Sequence, residues 1–316
     1  MNMSKYEKAY LYFDTNFLEC RHSGKSLYLS QFTVNPSYYE IEDMIFNMGL
    51  TDNVELCIPD VVWLELQEHL IKHFKSEKSS MESKINAFRK SFGNLAEIYC
   101  EFKDCVDDSD YKNYVSEIAQ DFLDNPRVNS KIIPCPKDEN SMKMIIDQAI
   151  HSIRPFRVAK AGSKEYSDAG FKDALIFHTI LTHTNEQLGI LISNDNDFSE
   201  LFNGEYASNL KMCNNVKEVR NILSQEFNIT MADMVETLLH TDDYLIQRIL
   251  SECEFDKNTH MDSLSIKSCK SNEDNAEVSF KALINGIQYS FDIEYNLNAK
   301  ELLNASCEII DETEAD

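Results

Sequence analysis

A parallel α/β sheet flanked by helices, with a helical insertion and a small C-terminal α+β domain, is the architecture this sequence predicts. Three observations carry it. Short apolar runs at residues 9–14, 54–58 and 188–193 are separated by segments of helical periodicity. A long charged stretch from about 75 to 165 is mostly helical in pattern. Residues 278–295 alternate strictly between apolar and polar. Strands separated by helices require crossover connections, which make neighbouring strands parallel. Strict alternation describes a strand with one buried face.

The first run ends on a charge: "YLYFDTNFLE" (10–19) passes from strand-like residues straight into Asp14, Thr15 and Asn16. The second, "VELCI" (54–58), meets Pro59 and Asp60, and Asp60 is placed to cap the helix "VVWLELQEHLIKHF", with Trp63 as a core residue. The insertion over 75–165 contains an amphipathic piece, "SMKMIIDQAIHSI" (141–153), and is too long for a structureless connection. A further helix, "FKDALIFHTILTHT" (171–184), leads into the strand "LGILIS" (188–193). "LKMC" (210–213) supplies a further strand, followed by a helix near 216–226. Near residue 240 the character changes. Val278, Phe280, Ala282 and Ile284 share one face, as do Ile287, Tyr289, Phe291, Ile293 and Tyr295. Between them Asn285-Gly286 is the preferred two-residue hairpin turn. "SLSIKSC" (263–269) offers a third strand, and the acidic tail "DETEAD" reads as frayed. The expected division is 1–240 for the α/β domain and 241–316 for the smaller one.

Composition narrows the function. At 43% hydrophobic and 27% charged, the 316 residues are ordinary for a globular protein. No apolar run reaches the roughly 20 residues that span a bilayer, and "MNMSKYEKAYLYF" lacks a signal-peptide layout, so the expected location is cytoplasmic, with no membrane partner. The nine cysteines are odd in number, scattered and without a CxxC pair; they read as reduced, mostly buried thiols. A net charge of −24 repels nucleic acid at long range, so a nucleic-acid ligand would need a local basic patch. "RPFRVAKAGSKEY" (154–166) is such a concentration, with Arg154, Arg157, Lys160 and Lys164, and Lys172 follows. It reads equally as a solvated loop or as a phosphate-holding surface.

Acids recur where an open parallel sheet places its sites, outside the carboxyl ends of the strands. Asp14 ends the first strand, and Asp195 and Asp197 in "LISNDNDF" end another. Glu65 lies one turn into the helix after the second strand; Asp173 lies in the first turn of its own helix, where the macrodipole favours its charge. Carboxylates gathered in one crevice repel one another unless a cation sits between them. Oxygen donors without His or Cys suit Mg²⁺ or Mn²⁺, which can activate water and steady a phosphoryl group. His69 and His73 stand four apart, but "EHLIKH" lacks the HExxH pattern and a third zinc ligand; they read as polar-face residues.

The motifs "FDTNFLE", "PDVVWLELQEH", "GFKDALI" and "LISNDNDF", in this order, resemble the acidic motifs of PIN-domain ribonucleases. The helical insert and C-terminal extension resemble those of larger bacterial PIN-like proteins. The resemblance covers roughly residues 8–225. It implies a PIN-like fold and a metal-dependent endoribonuclease with Asp14, Glu65, Asp173 and Asp195 as its acidic quartet. Asp197 would be an accessory metal ligand or a simple helix cap, and Asn16 a polar neighbour that touches substrate. Glu68 shares a helix face with Glu65 and competes for the second position. The implied substrate is RNA, single-stranded or looped, in a toxin-like or defence role, with an inhibitor or partner protein and a homo-oligomer as implied assemblies. Two rivals remain: a phosphatase of the haloacid-dehalogenase type, disfavoured because Asn16 stands where a second Asp is wanted, and a non-catalytic PIN-like binding module.

Overall fold

Four of the apolar runs and one further short segment form one parallel sheet. In a computed structural model, which describes residues 5–20, 29, 31–92, 107–125, 129–151, 153–156, 170–195, 197–202, 208–272, 275–297 and 299–310, the chain forms two compact units. One comprises Glu7–Glu40 and Asn53–Val219; the other comprises Met1–Tyr6, Ile41–Asp52 and Arg220–Asp316.

The first unit is built on β1 (Ala9–Phe13), β2 (Val54–Pro59), β3 (Ser130–Ile133), β4 (Leu188–Ile192) and β5 (Leu210–Cys213). Their order is β3-β2-β1-β4-β5 and every pairing is parallel. All five residues of β4 are buried, as expected of a central strand covered on both faces. The order reverses direction between β1 and β4, so the crevice at their carboxyl ends is the place where such sheets bind ligands.

Helices α1 (Thr15–Leu18), α2 (Ser37–Asn47), α3 (Asp60–Phe92), α4 (Asp108–Asp124), α5 (Glu139–Ile150), α6 (Phe171–Thr184), α7 (Asp197–Phe202) and α8 (Val216–Phe227) follow the strands, with α2 and α8 each crossing from one unit into the other along the chain. The 33 residues of α3 make a helix of about 50 Å. Trp63 on α3 lies in the core, 4.8 Å from the Phe32 ring and 5.7 Å from that of Phe122. Farther along, Phe74 stacks on Tyr111 of α4 at 4.0 Å.

The expected insertion is helical in α3, α4 and α5, but it also holds β3, which the sequence reading passed over. β3 is only four residues long and has one fully buried position, so it carries no alternation to detect. Asp60 is the first residue of α3 rather than its cap, and its carboxylate accepts a hydrogen bond from Cys135 Sγ. The described cysteines are all free, but only Cys57 and Cys213 are buried; Cys20, Cys135, Cys253, Cys269 and Cys307 are half-buried, which corrects the expectation of mostly buried thiols.

The second unit holds an antiparallel sheet of β6 (Ser263–Asn272), β7 (Asn275–Ile284), β8 (Ile287–Asn296) and β9 (Glu301–Ile309), in sequence order. Asn285 and Gly286 both take positive φ, 52° and 80°, as a turn matched to strand twist requires. The inner face presents Val278, Phe280, Ala282 and Ile284 with Phe291, Ile293 and Tyr295. Helices α9 (Met231–Thr241) and α10 (Asp243–Glu252) close over it with Val235, Leu238, Leu239, Leu245, Ile249 and Leu250. Ile287, expected on the inner face, is 47% exposed, although Ile284, its partner across the turn, is buried. The tail "DETEAD" lies outside the described residues. No described helix is long and apolar enough to cross a membrane.

Candidate active site

β1 ends at Phe13, and the next residue, Asp14, is 3% exposed. A carboxylate can be buried here because its acceptor sites are filled. The Thr15 N–H donates to Oδ1 at 2.7 Å, capping α1, and the Ser193 hydroxyl donates to Oδ2 at 2.7 Å. Asn16 Nδ2 lies 3.4 Å from the same Oδ2. Burial is nevertheless the dominant influence and raises the Asp14 pKa above the ordinary carboxylate value. The two hydrogen bonds oppose it; the charges of Asp195 and Glu65 reinforce it. Asp14, Glu65 and Asp195 therefore sense one another across one crevice.

Each neighbour arrives from its own element. Ser193 follows β4, and its hydroxyl accepts from the Asp195 N–H at 3.0 Å, so one serine ties Asp195 to Asp14. Glu65 projects from the second turn of α3; Thr15 Oγ1 donates to its Oε2 at 2.8 Å, and the Lys172 ammonium donates to Oε1. Glu65 is half-buried and faces the crevice, whereas Glu68 is exposed. Asp173 is half-buried in the first turn of α6, next to Lys172. The start of α6 is set by Gly170 at φ 90°, where a Cβ would come within 2.2 Å of the Pro155 carbonyl oxygen. Phe156 packs with Ala174, so this approach keeps the chain at Arg154 beside the helix that carries Lys172 and Asp173.

The structure thus brings together Asp14, Asn16, Glu65 and Asp195, and adds Lys172. Lys172, read from the sequence as a phosphate contact, here pairs with Glu65. Asp197 is the first residue of α7. Arg154 is exposed, and Arg157, Lys160 and Lys164 lie outside the described residues. Three partners escaped the sequence reading. Thr15 and Ser193 are neutral hydroxyls beside acids and carry no charge pattern to notice. His69, expected as a polar-face residue, places its Nδ1 2.8 Å from Glu19 Oε1 and its Nε2 3.7 Å from Glu65 Oε1.

The donors are oxygens of carboxylates and hydroxyls, the chemistry of a hard cation. Among the described residues no three His, Cys, Asp or Glu side chains converge into a ready-made cage. Mg²⁺ does not require one; it is commonly held by one or two carboxylates and keeps several waters. The buried, doubly repelled Asp14 is the position that a cation would relieve most.

No curated protein matches the chain. The family model of the PIN domain matches residues 11–198, which span β1 through the start of α7 and include Asp14, Glu65, Asp173, Asp195 and Asp197. With that match over more than half of its length, on a five-stranded parallel sheet of the expected kind, the chain belongs to the PIN-domain family, whose fold is nuclease-like.

Proposed function

We propose that this protein is a Mg²⁺- or Mn²⁺-dependent endoribonuclease. The observation that carries the reading is Asp14: a buried carboxylate at the sheet's switch point, with its pKa raised by burial and by two further acids from α3 and the end of β4. Asp14 and Asp195, with Glu65, would hold the hydrated ion, and Asp173 and Asp197 lie at helix starts for outer contacts. When bound, the ion supplies an activated water and stabilises charge on the phosphoryl oxygens. The chain's own groups do the positioning. Thr15 and Ser193 fix the rotamers of Glu65 and Asp14 by hydrogen bonds. Lys172 places a positive charge at the edge of the acids, where it can pass from Glu65 to a substrate phosphate. Arg154, Arg157, Lys160 and Lys164 supply local attraction for a single-stranded or looped RNA against the overall charge of −24.

One observation favours a second reading. The ammonium of Lys172 already compensates Glu65, as a built-in counter-ion would in a non-catalytic PIN-like module. Incubation of the purified chain with structured and unstructured RNA, with Mn²⁺ or with chelator, separates the two. Cleavage that needs the ion and Asp14 supports the nuclease; Mn²⁺ binding without cleavage of any RNA supports the module.

A further inference from the structure

Next to the acids is a pocket of about 230 Å³ within the first unit. Its described walls include Glu19 at the end of α1, Phe32 and Thr33 from the following chain, and Leu66, His69 and His73 along α3. The pocket is one side chain away from the crevice. The His69 imidazole stands between them, with Nδ1 2.8 Å from Glu19 Oε1 and Nε2 3.7 Å from Glu65 Oε1. An ionised carboxylate only accepts, so His69 Nδ1 carries the proton in the contact with Glu19. That contact uses one acceptor position of a group with roughly four.

The volume is below the roughly 300–1,000 Å³ of pockets for drug-sized ligands, so it suits a single ring system. The walls combine apolar side chains with a carboxylate and two imidazoles, and stacking on a ring such as His with hydrogen bonds to the base edge is how single-stranded RNA recognition receives an unstacked base. Chain connectivity points the same way. If a phosphate lies at Asp14, Glu65 and Asp195, the base of an adjoining nucleotide is the group brought to a pocket one side chain away. A carboxylate there accepts from amino and imino N–H groups. Guanine offers two, on the ring and amino nitrogens that share one carbon, whereas uracil offers one imino N–H between two carbonyl oxygens that repel the carboxylate.

We propose that this pocket takes the nucleobase next to the attacked phosphate of a single-stranded RNA, with Glu19 selecting guanine over uracil. The proposal rests on the reading that the acids receive an RNA phosphate. The test uses the full chain with Ca²⁺, a hard cation that carboxylates hold, and fluorescently labelled uridine octamers, either all-uridine or with one guanosine at successive positions. Anisotropy should show about tenfold tighter binding for one guanosine position, the effect of one good bidentate contact. Glu19→Gln should reduce that ratio to within about twofold. The same octamers with Mn²⁺ provide the second measurement, which should place the cut beside the preferred guanosine. Equal affinity at every position, or a ratio unchanged in Glu19→Gln, overturns the pocket even if the RNA is cut. A guanosine preference that Glu19→Gln removes supports it even if Mn²⁺ produces no cleavage, in which case only the nuclease reading falls.

Discussion

Burial and two neighbouring carboxylates push Asp14 toward its neutral form, and the consequence for stability has a definite sign. The folded pKa lies above the unfolded one. The favourable contribution is therefore complete only below the ordinary value of 3.8 and is lost as pH rises through the folded pKa, leaving a penalty at neutral pH. Asp14→Asn should accordingly melt at a higher temperature than the parent at pH 7 in chelator. It should also lose cleavage by at least two orders of magnitude, about 2.7 kcal/mol of transition-state stabilisation. A lower melting temperature together with full cleavage would refute this account of the residue. Lys172 leads to a second expectation. Its ammonium competes with any cation for Glu65, so Lys172→Met should bind Mn²⁺ more tightly by calorimetry, and weaker binding would contradict that competition. His178 shows the opposite linkage. Burial lowers its pKa, and with 1% exposure its Nε2 faces Gln148 Oε1 at 3.1 Å. The stability it contributes is present above the ordinary value of 6.5 and is lost as pH falls through the folded pKa. An NMR titration should show the His178 midpoint below 6.5. Asp14 and Asp195 stand out in the sequence because charge at a strand end is conspicuous. The hydroxyls of Thr15 and Ser193 do not, since nothing in a Thr or a Ser marks which acid it will bond.

Elements differ in how openly the sequence declares them. β1, β2, β4 and β5 announce themselves as compact apolar runs, and the hairpin of β7 and β8 by alternation around Asn285-Gly286. β9 has one buried residue, Leu302, among exposed and half-buried neighbours, so as an edge strand it lacks the pattern. α2 was also missed. α6 was clear from its apolar content, but the precision of its start rests on a backbone feature, Gly170 at φ 90° against the Pro155 carbonyl. Gly170→Ala should destabilise the protein by about 2 kcal/mol or more, from the left-handed backbone and the close approach together. It should also depress cleavage, because α6 carries Lys172 and Asp173. Denaturant unfolding and a cleavage assay on the same preparation check both parts. Unchanged stability would mean that the approach at Gly170 is not a constraint.

At the scale of the molecule the second unit is discontinuous in sequence: Ile41–Asp52 lies between β1 and β2 yet groups with Arg220–Asp316. Removing 241–316 would strip the sheet from α9 and uncover Val235, Leu238 and Leu239, each worth about 1.5–3 kcal/mol when buried. The truncated chain should therefore aggregate or bind a hydrophobic dye, and a monodisperse, dye-silent product would contradict this. Charge acts at the same scale. With a net charge of −24, the proposed RNA binding depends on local cations. Neutralising Arg154, Arg157, Lys160 and Lys164 should flatten the salt dependence of binding by about 0.7 log units of slope per lost contact. An unchanged slope would return that cluster to a solvated loop. If the carboxylates around Asp14 form a metal-dependent nuclease centre, a single set of four reactions reveals it. Purified full-length protein and Asp14→Asn are incubated with the same unstructured RNA, with Mn²⁺ and with chelator. Internal cleavage is expected from the parent with Mn²⁺ and in none of the other three reactions; intact RNA in all four, or equal cleavage by both proteins, would exclude such a centre.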